Sequence, residues 1–315
     1  MKGKRQPIIA VGDLVWDVLA KPDQMLLPGG DTTGRIALAP GGSAANVAAW
    51  IARVGMPAGF VGMVGADPLG DLIVEDMRRE GVELHVSRTA KRDTGVILVL
   101  IDRAGQRSMV TNQGADFYLT PAELPDDALR ACSHVHITAW SLFTDPPRAA
   151  AIRAAQIAKA GGATVSFDPA SYQMIREMGY DKFARITAEL PVDILFPNRD
   201  EGQALTGERE PEEIALELRE RYPGAIIALK LDRDGCYILA DGHAQAYPTS
   251  DHPALDATGG GDAFDAAFIA RYARDRDLAA AARFANAIAG WVVARYGARP
   301  PADEELAAII REVRS

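Results

Sequence analysis

Positive charge is in short supply in this chain. Against 43 Asp and Glu stand 34 Lys and Arg, a formal net charge of −9 over 315 residues. That balance excludes the basic face a nucleic-acid partner requires. It leaves local anion sites open, because a few groups are enough to build one. Cysteine is scarce as well. Cys132 and Cys236 are the two present and lie far apart, so no disulfide framework is expected and a reducing, cytoplasmic setting is. No eighteen apolar residues run uninterrupted, which excludes a membrane span. The start is basic and turns apolar at Ile8, but Asp13 and Asp17 break the run, so it reads as a first strand rather than an export signal. No Gly-Lys-Ser/Thr closes a glycine loop, so there is no Walker-type phosphate loop. No glycine fingerprint follows the first strand, which argues against a Rossmann dehydrogenase.

What is present is an alternation of short apolar runs and helical patterns. Strands are expected at 8–11, 60–64, 135–138, 164–167, 194–196 and 225–229. Helices are expected at 44–54, 69–80, 148–160, 211–222, 278–296 and 303–313. Pro211 sits at a first helical position, with Glu212 and Glu213 in the first turn, as helix starts prefer. The pattern predicts a single α/β domain over residues 1–315: a three-layer α/β/α sandwich around a mainly parallel sheet. Two segments break the rhythm. Residues 17–40 are irregular and rich in Gly and Pro, and residues 94–111 read as a hairpin around the turn at 102–105. A small β-sheet flap on the α/β body accounts for both.

The chemistry concentrates in Asp256-Ala257-Thr258-Gly259-Gly260-Gly261-Asp262, followed by an apolar helical run. Glycines let backbone come close to a ligand, and the unpaired N–H groups of a helix start form an anion site. A carboxylate there is repelled by a bound phosphate unless it serves as the base for whatever attacks that phosphate. Asp265, three residues on, points away from the glycine amides and is read as polar or structural. A second glycine-led helix start is Pro40-Gly41-Gly42-Ser43-Ala44-Ala45-Asn46, where Asn46 can donate and accept hydrogen bonds. Asp17, past the first strand, is placed to accept sugar hydroxyls at the strand ends. Cys132, His134 and His136 share a strand face, but their spacing is tighter than zinc sites use and no fourth ligand is evident, so they read as an ordinary strand. Trp16 and Trp140 are read either as core or as a sugar-stacking wall, and Asp168 as a strand-end residue near the crevice.

On these residues the chain resembles the ribokinase-like (PfkB) carbohydrate kinases along nearly its whole length. The resemblance rests on Gly-Gly-x-x-x-Asn with residues 62–70, on the glycine run before Asp262, on Asn198-Arg199-Asp200-Glu201, and on the segments around Asn286 and 294–298. It implies an ATP- and Mg²⁺-dependent kinase acting on a primary hydroxyl of a ribose-, fructose- or 2-keto-3-deoxygluconate-like acceptor. Asp262 would be the general base, and Gly259, Gly260 and Gly261 the anion hole. Asp17, Gly41, Gly42 and Asn46 would hold the sugar beneath a lid formed by about 14–40 and 94–113, with Ile97, Val99 and Thr111 facing it. Asn198 and Glu201 would organise Mg²⁺ largely through water, and Lys230, Gly235 and Asn286 would lie by the nucleotide. Asp256, Thr258, Arg295 and Gly297 would form a K⁺ loop, although Pro301 stands where a polar ligand is often found. Other departures are Ala257 for Thr, Gly260 for Ala and Asp232 for Gly. Dimerisation through the lid is implied as well. A nucleoside kinase and a catalytically silent sugar-binding regulator remain as alternative readings.

Overall fold

The computed structural model describes residues 5–102, 107–249 and 252–314. The main sheet has nine strands in the order β13-β12-β11-β10-β9-β8-β1-β4-β5. These are β1 (Ile8–Val11), β4 (Ala58–Gly65), β5 (Glu83–Thr89), β8 (His134–Thr138), β9 (Thr164–Asp168), β10 (Ile194–Leu195), β11 (Ile226–Lys230), β12 (Cys236–Ala240) and β13 (His243–Tyr247). β11 to β13 pair antiparallel and the rest parallel. β1 and β4 are buried along their whole length, as strands covered on both faces must be.

The chain runs outward from β1 to β5 and then returns to β8 on the other side of β1. That reversal opens a crevice at the carboxyl ends of the strands, where open α/β sheets place ligands. One face of the sheet is covered by α1 (Ser43–Arg53), α2 (Pro68–Arg79), α9 (Gly260–Asp275) and α10 (Leu278–Val293). The other is covered by α3 (Asp126–Ala131), α4 (Pro147–Ala160), α5 (Tyr172–Met178), α6 (Tyr180–Thr187), α7 (Arg199–Thr206) and α8 (Pro211–Arg221). α11 (Glu304–Arg314) packs on α10. Small residues let α1 lie close: Ala44 to Ile51 are all buried, and Trp50 meets Trp291 edge-on at 5.9 Å. No helix among the described residues is long and apolar enough to cross a membrane.

A second sheet, ordered β3-β2-β6-β7, stands over the crevice: β2 (Val15–Pro22), β3 (Gly34–Gly41), β6 (Val96–Ile101) and β7 (Arg107–Thr111). The expected hairpin is β6–β7, and its tip lies outside the described residues. The expectation of an irregular 17–40 is corrected. Only the middle of that segment is irregular; its two ends are the paired strands β2 and β3. Their period was hidden because Ile36 and Leu38 face outward and are exposed, while Asp17 faces in. β5 and the β12–β13 hairpin were also not foreseen. Asp241-Gly242, a strong two-residue hairpin signal, joins the latter pair.

Candidate active site

A cavity of about 630 Å³ lies between the lid and the strand ends. Strand register decides which lid side chains enter it. Asp17 pairs with Ile97 and Ile97 with Thr111, so the three form one row on the inner face, and Val99 with Met109 forms the next. Asp17 lies against Gly41, where an added Cβ would fall 2.6 Å from the carboxylate. Gly41 thus makes room for Asp17 rather than lining the cavity itself. Gly42, at φ 95, is the N-cap of α1 and does line it. Burial, reinforced by the Asp13 charge, pushes the Asp17 carboxyl up to about 6.

α9 begins differently. Its N-cap Gly259 is left-handed at φ 73 and brings no side chain to cap the first amides. A Cβ at Gly259 would also lie 2.5 Å from the Ala298 backbone. Asp262 sits in the first turn, and its Oδ2 accepts from Asn46 Nδ2 at 2.8 Å. Asn46 is held in turn by Arg299, whose Nε donates to Asn46 Oδ1 at 3.0 Å. Burial raises the Asp262 carboxyl to about 7, with the Asn46 bond opposing. The two glycine-led helix starts therefore meet across one cavity through the Asn46–Asp262 bond.

Gly260 has a packing reason of its own. A Cβ there would lie 2.7 Å from Val293 Cγ1. Gly260→Ala is expected to cost about 1–3 kcal/mol, as overpacking does. Val293→Ala in the same chain should recover most of that loss, measured by urea unfolding.

Asn198 and Glu201 form a reciprocal capping box at the start of α7. Glu201 N donates to Asn198 Oδ1, while Glu201 Oε2 and Oε1 accept from Asn198 N and Nδ2, all at 2.8 Å. Asn198 lines the cavity and Glu201 is buried behind it. Burial and then the Asp168 charge raise Glu201 to about 8. Lys230 does not line the cavity. Its Nζ is buried, 2.7 Å from Asp168 Oδ2 and 3.1 Å from Asp265 Oδ1, directly beneath Gly261. Three acids, Asp168, Asp265 and Glu201, thus surround one lysine. Among the described residues no three or more His, Cys, Asp or Glu are arranged to hold a metal ion directly.

Gly235, at φ 90, is required by the backbone of β13, since a Cβ would fall 2.0 Å from the Tyr247 carbonyl oxygen. Asn286 is buried, not solvated, and donates to the carbonyls of Tyr247 and Pro248 at 2.9 and 3.1 Å. Asp232 adopts φ 52, a conformation glycine adopts more easily. Asp256 Oδ1 accepts from Thr258 N and Oγ1, and its Oδ2 from Gly297 N. The loop before α9 is thereby pinned to the turn at Gly297. The Arg295 side chain leaves that turn for Asp303 and Glu305. His134 and His136 both bond to Ser166 Oγ, at 2.7 and 2.8 Å, and Cys132 Sγ to the Leu129 carbonyl. Trp16 bonds to the Leu69 carbonyl in the core, whereas Trp140 lines the cavity. Sequence reading missed Asp13, Asp116, Phe117 and Arg299. Of these, Asp13 carried a signal, since it directly follows the glycine that ends β1.

A two-faced α/β sheet with a β lid, enclosing a carboxylate at a glycine-led helix start, defines a small-molecule phosphotransferase class. The pfkB family carbohydrate kinase pattern matches residues 5–305, and the chain belongs to that family. It is 34% identical to an ATP-dependent ribose-1-phosphate kinase of Halopiger xanaduensis, over 97% of this chain and 98% of that one. It is 30% identical to fructokinase-1 of Oryza sativa, over 97% of each. Among solved structures, adenosine kinase from Sinorhizobium meliloti superposes with a TM-score of 0.86 at 25% identity, covering 98% and 99% of the two chains. The fold is ribokinase-like and the protein is a carbohydrate kinase.

Proposed function

We propose that this kinase transfers the γ-phosphoryl group of ATP to a primary hydroxyl of a sugar, with Asp262 as general base. The observation that carries the reading is the position of Asp262: first turn of α9, beside three glycines, bonded to Asn46 across the cavity. The acceptor is held by Asp17, Asn46 and the Gly42 backbone under Ile97, Val99 and Thr111. Its hydroxyl then lies between Asp262 and the amides of Gly259 to Gly261. Asp262 takes the proton as the phosphoryl group leaves ATP. The amides stabilise charge on the moving group, which preorganised donors do without reorganising. A loose transition state asks little of the base until late, so a carboxyl near 7 is adequate.

When bound, Mg²⁺ would neutralise phosphate charge; Asn198 and Glu201 are the residues that would hold it, largely through water. Lys230 supports the floor of the anion hole under Gly261, and Gly235 and Asn286 shape the nucleotide side. K⁺ is assigned to the turn where Asp256 and Thr258 meet Gly297 and the Arg295 carbonyl. A higher kcat in KCl than in NaCl at equal ionic strength is the expected result. Closing the lid excludes water that would otherwise hydrolyse ATP.

ADP release over a panel of pentoses, hexoses, 2-keto-3-deoxygluconate and nucleosides tests the reading. A substrate turned over equally well by Asp262→Asn would sink the mechanism. Phe117, Trp140 and Met174 on the cavity wall favour a second reading, a nucleoside whose base packs there. Stabilisation by adenosine but not by free sugars in a thermal shift would select it.

A homodimer through the lid is part of the same proposal. Ile36, Leu38, Leu98 and Val110 are exposed on the lid's outer face, and apolar patches of this kind favour association. Light scattering is expected to give twice the chain mass, and Ile36→Lys with Leu98→Lys to give a monomer.

A further inference from the structure

We propose that the acceptor pocket selects an uncharged polyhydroxylated substrate over one bearing a phosphate or carboxylate, and that Asp116 is one of the groups reading its hydroxyls. This rests on the kinase reading of the same cavity and narrows its substrate class.

The first observation is the sign of the walls. Asp13, Asp17, Asp116 and Asp262 line the cavity, and no Lys or Arg does among the described residues. Lys230 lies beneath Gly261, paired with Asp168 and Asp265, and Arg299 is turned away. Its side chain is 1% exposed and donates to Asn46 Oδ1, to Asp76 Oδ2 and to Met77 Sδ. It orients Asn46 from behind and does not meet the substrate.

The second observation is the fate of the two helix starts. At α1, the amides of Ser43 and Ala44 already donate to Asp13 Oδ2 and Oδ1 at 2.8 and 3.0 Å. The protein's own carboxylate fills that anion position. At α9, glycines stand in place of any capping side chain. One end of the cavity is therefore open to an anion, and the transferred phosphoryl group takes it. An acceptor carrying its own phosphate or carboxylate would have to set that charge against the wall of Asp13 and Asp17, with no cation on the lining in return.

The third observation concerns Asp116 itself. It is 8% exposed, it lines the cavity, and its Oδ1 has no hydrogen-bond partner. Gly95 packs so closely that a Cβ there would lie 2.5 Å from that oxygen. A buried polar atom without a partner is costly; Oδ1 is closed off by Gly95, and a substrate hydroxyl meets Asp116 where the residue lines the cavity. Burial and then the Asp13 charge raise the Asp116 carboxyl to about 8, as a wall already rich in negative charge would.

The test pairs neutral acceptors with anionic ones. ADP release is measured with D-ribose, D-fructose and adenosine against ribose 1-phosphate and 2-keto-3-deoxygluconate. Binding of the same five to Asp262→Asn is followed by calorimetry. The best neutral acceptor is expected to exceed either anionic one by about 100-fold in kcat/KM, the scale of a like-charge penalty in a desolvated site. No turnover of any alcohol would sink the kinase reading, and the binding arm would still decide this one. Tighter binding of an anionic ligand, or no binding of any neutral one, overturns it. Asp116→Ala is expected to raise the acceptor KM about tenfold with the ATP KM unchanged, as loss of one hydrogen bond does. Asp116→Asn, which keeps an accepting oxygen and the shape, should restore KM to within about threefold. An unchanged acceptor KM in Asp116→Ala, or in Asp116→Asn no recovery despite a native melting temperature, removes Asp116 from the substrate-reading set.

Discussion

Asp262→Asn is expected to lower kcat by about a thousandfold, within the range general bases contribute, and at the same time to raise the melting temperature. Both effects follow from burial. With Asp262 as the proposed base the active form is the carboxylate, and burial lifts its pKa to about 7. The kcat/KM profile should therefore climb about tenfold per pH unit on the acid side and flatten above about 7. The stability effect has the opposite sign. Between the unfolded value of 3.8 and about 7, the unfolded chain has lost this proton and the folded chain keeps it. Folding stability falls with pH through that window, and the loss stays in full above it. An amide carries no charge, and its oxygen still accepts from Asn46 Nδ2, so the variant escapes the penalty. At pH 8 its melting point should lie a few degrees above wild type, and at pH 4 the two should nearly coincide. A variant that loses activity and melts lower at pH 8 would mean that Asp262 holds the structure rather than the proton.

Asp262 is set by its neighbours as much as by its depth. Arg299, Asn46 and Asp262 form a relay in which a buried guanidinium fixes the amide and the amide fixes the carboxylate. Loss of the first member frees the Asn46 amide to flip, and Asp262 then faces an oxygen instead of a donor. The relay links the turn after α10 to both glycine-led starts. The carboxyl-terminal segment thus contributes to the site although none of its side chains enters the cavity.

How far this was legible in the sequence depends on how local each signal is. Both helix starts could be read, since a glycine run leading into an apolar helical period has few other uses. Ile97 and Thr111 could be read because alternation in a hairpin assigns faces. Asp116 could not. It is one acidic residue after the hairpin, and its meaning comes from Asp13, about a hundred residues earlier. Arg299 was equally silent, because its partners Asn46 and Asp76 lie far back in the chain. Lys230 was placed near the nucleotide by the family resemblance, not by any local signal. The two aspartates that bury it come from β9 and α9 and become its neighbours only when the sheet closes. Of the second sheet, β6 and β7 were legible as a hairpin, but β2 and β3 were not, because β3 turns its apolar residues outward.

Lys230→Met is expected to cost about 3–5 kcal/mol, the penalty for stranding a buried partner charge, whereas Asp265→Asn should cost less than about 1 kcal/mol, because the amide oxygen still accepts from Lys230 Nζ. The asymmetry comes from three acids sharing one base. Burial raises every carboxyl in the cluster. For Asp168, the Lys230 ammonium more than reverses that, and its pKa is lowered. Asp265 stays well above the ordinary carboxylate range, since burial is reinforced by the Asp168 charge. Glu201 lies at about 8 for the same two reasons. The charged form is therefore favoured on Asp168 and disfavoured on Asp265 and Glu201. An amide at Asp265 replaces the residue on which charge is disfavoured. Removing the ammonium leaves Asp168 buried without its counter-ion. Asp168→Asn should fall between the two, because Asp265 can ionise in its place and keep Lys230 paired. The double variant Lys230→Met, Asp168→Asn should recover more than half of the loss, since neither charge is then stranded. Urea unfolding of the four variants checks the order. If Asp265→Asn proves the costliest, the ionised partner of Lys230 is Asp265, and the charge beneath Gly261 lies on α9 rather than on β9.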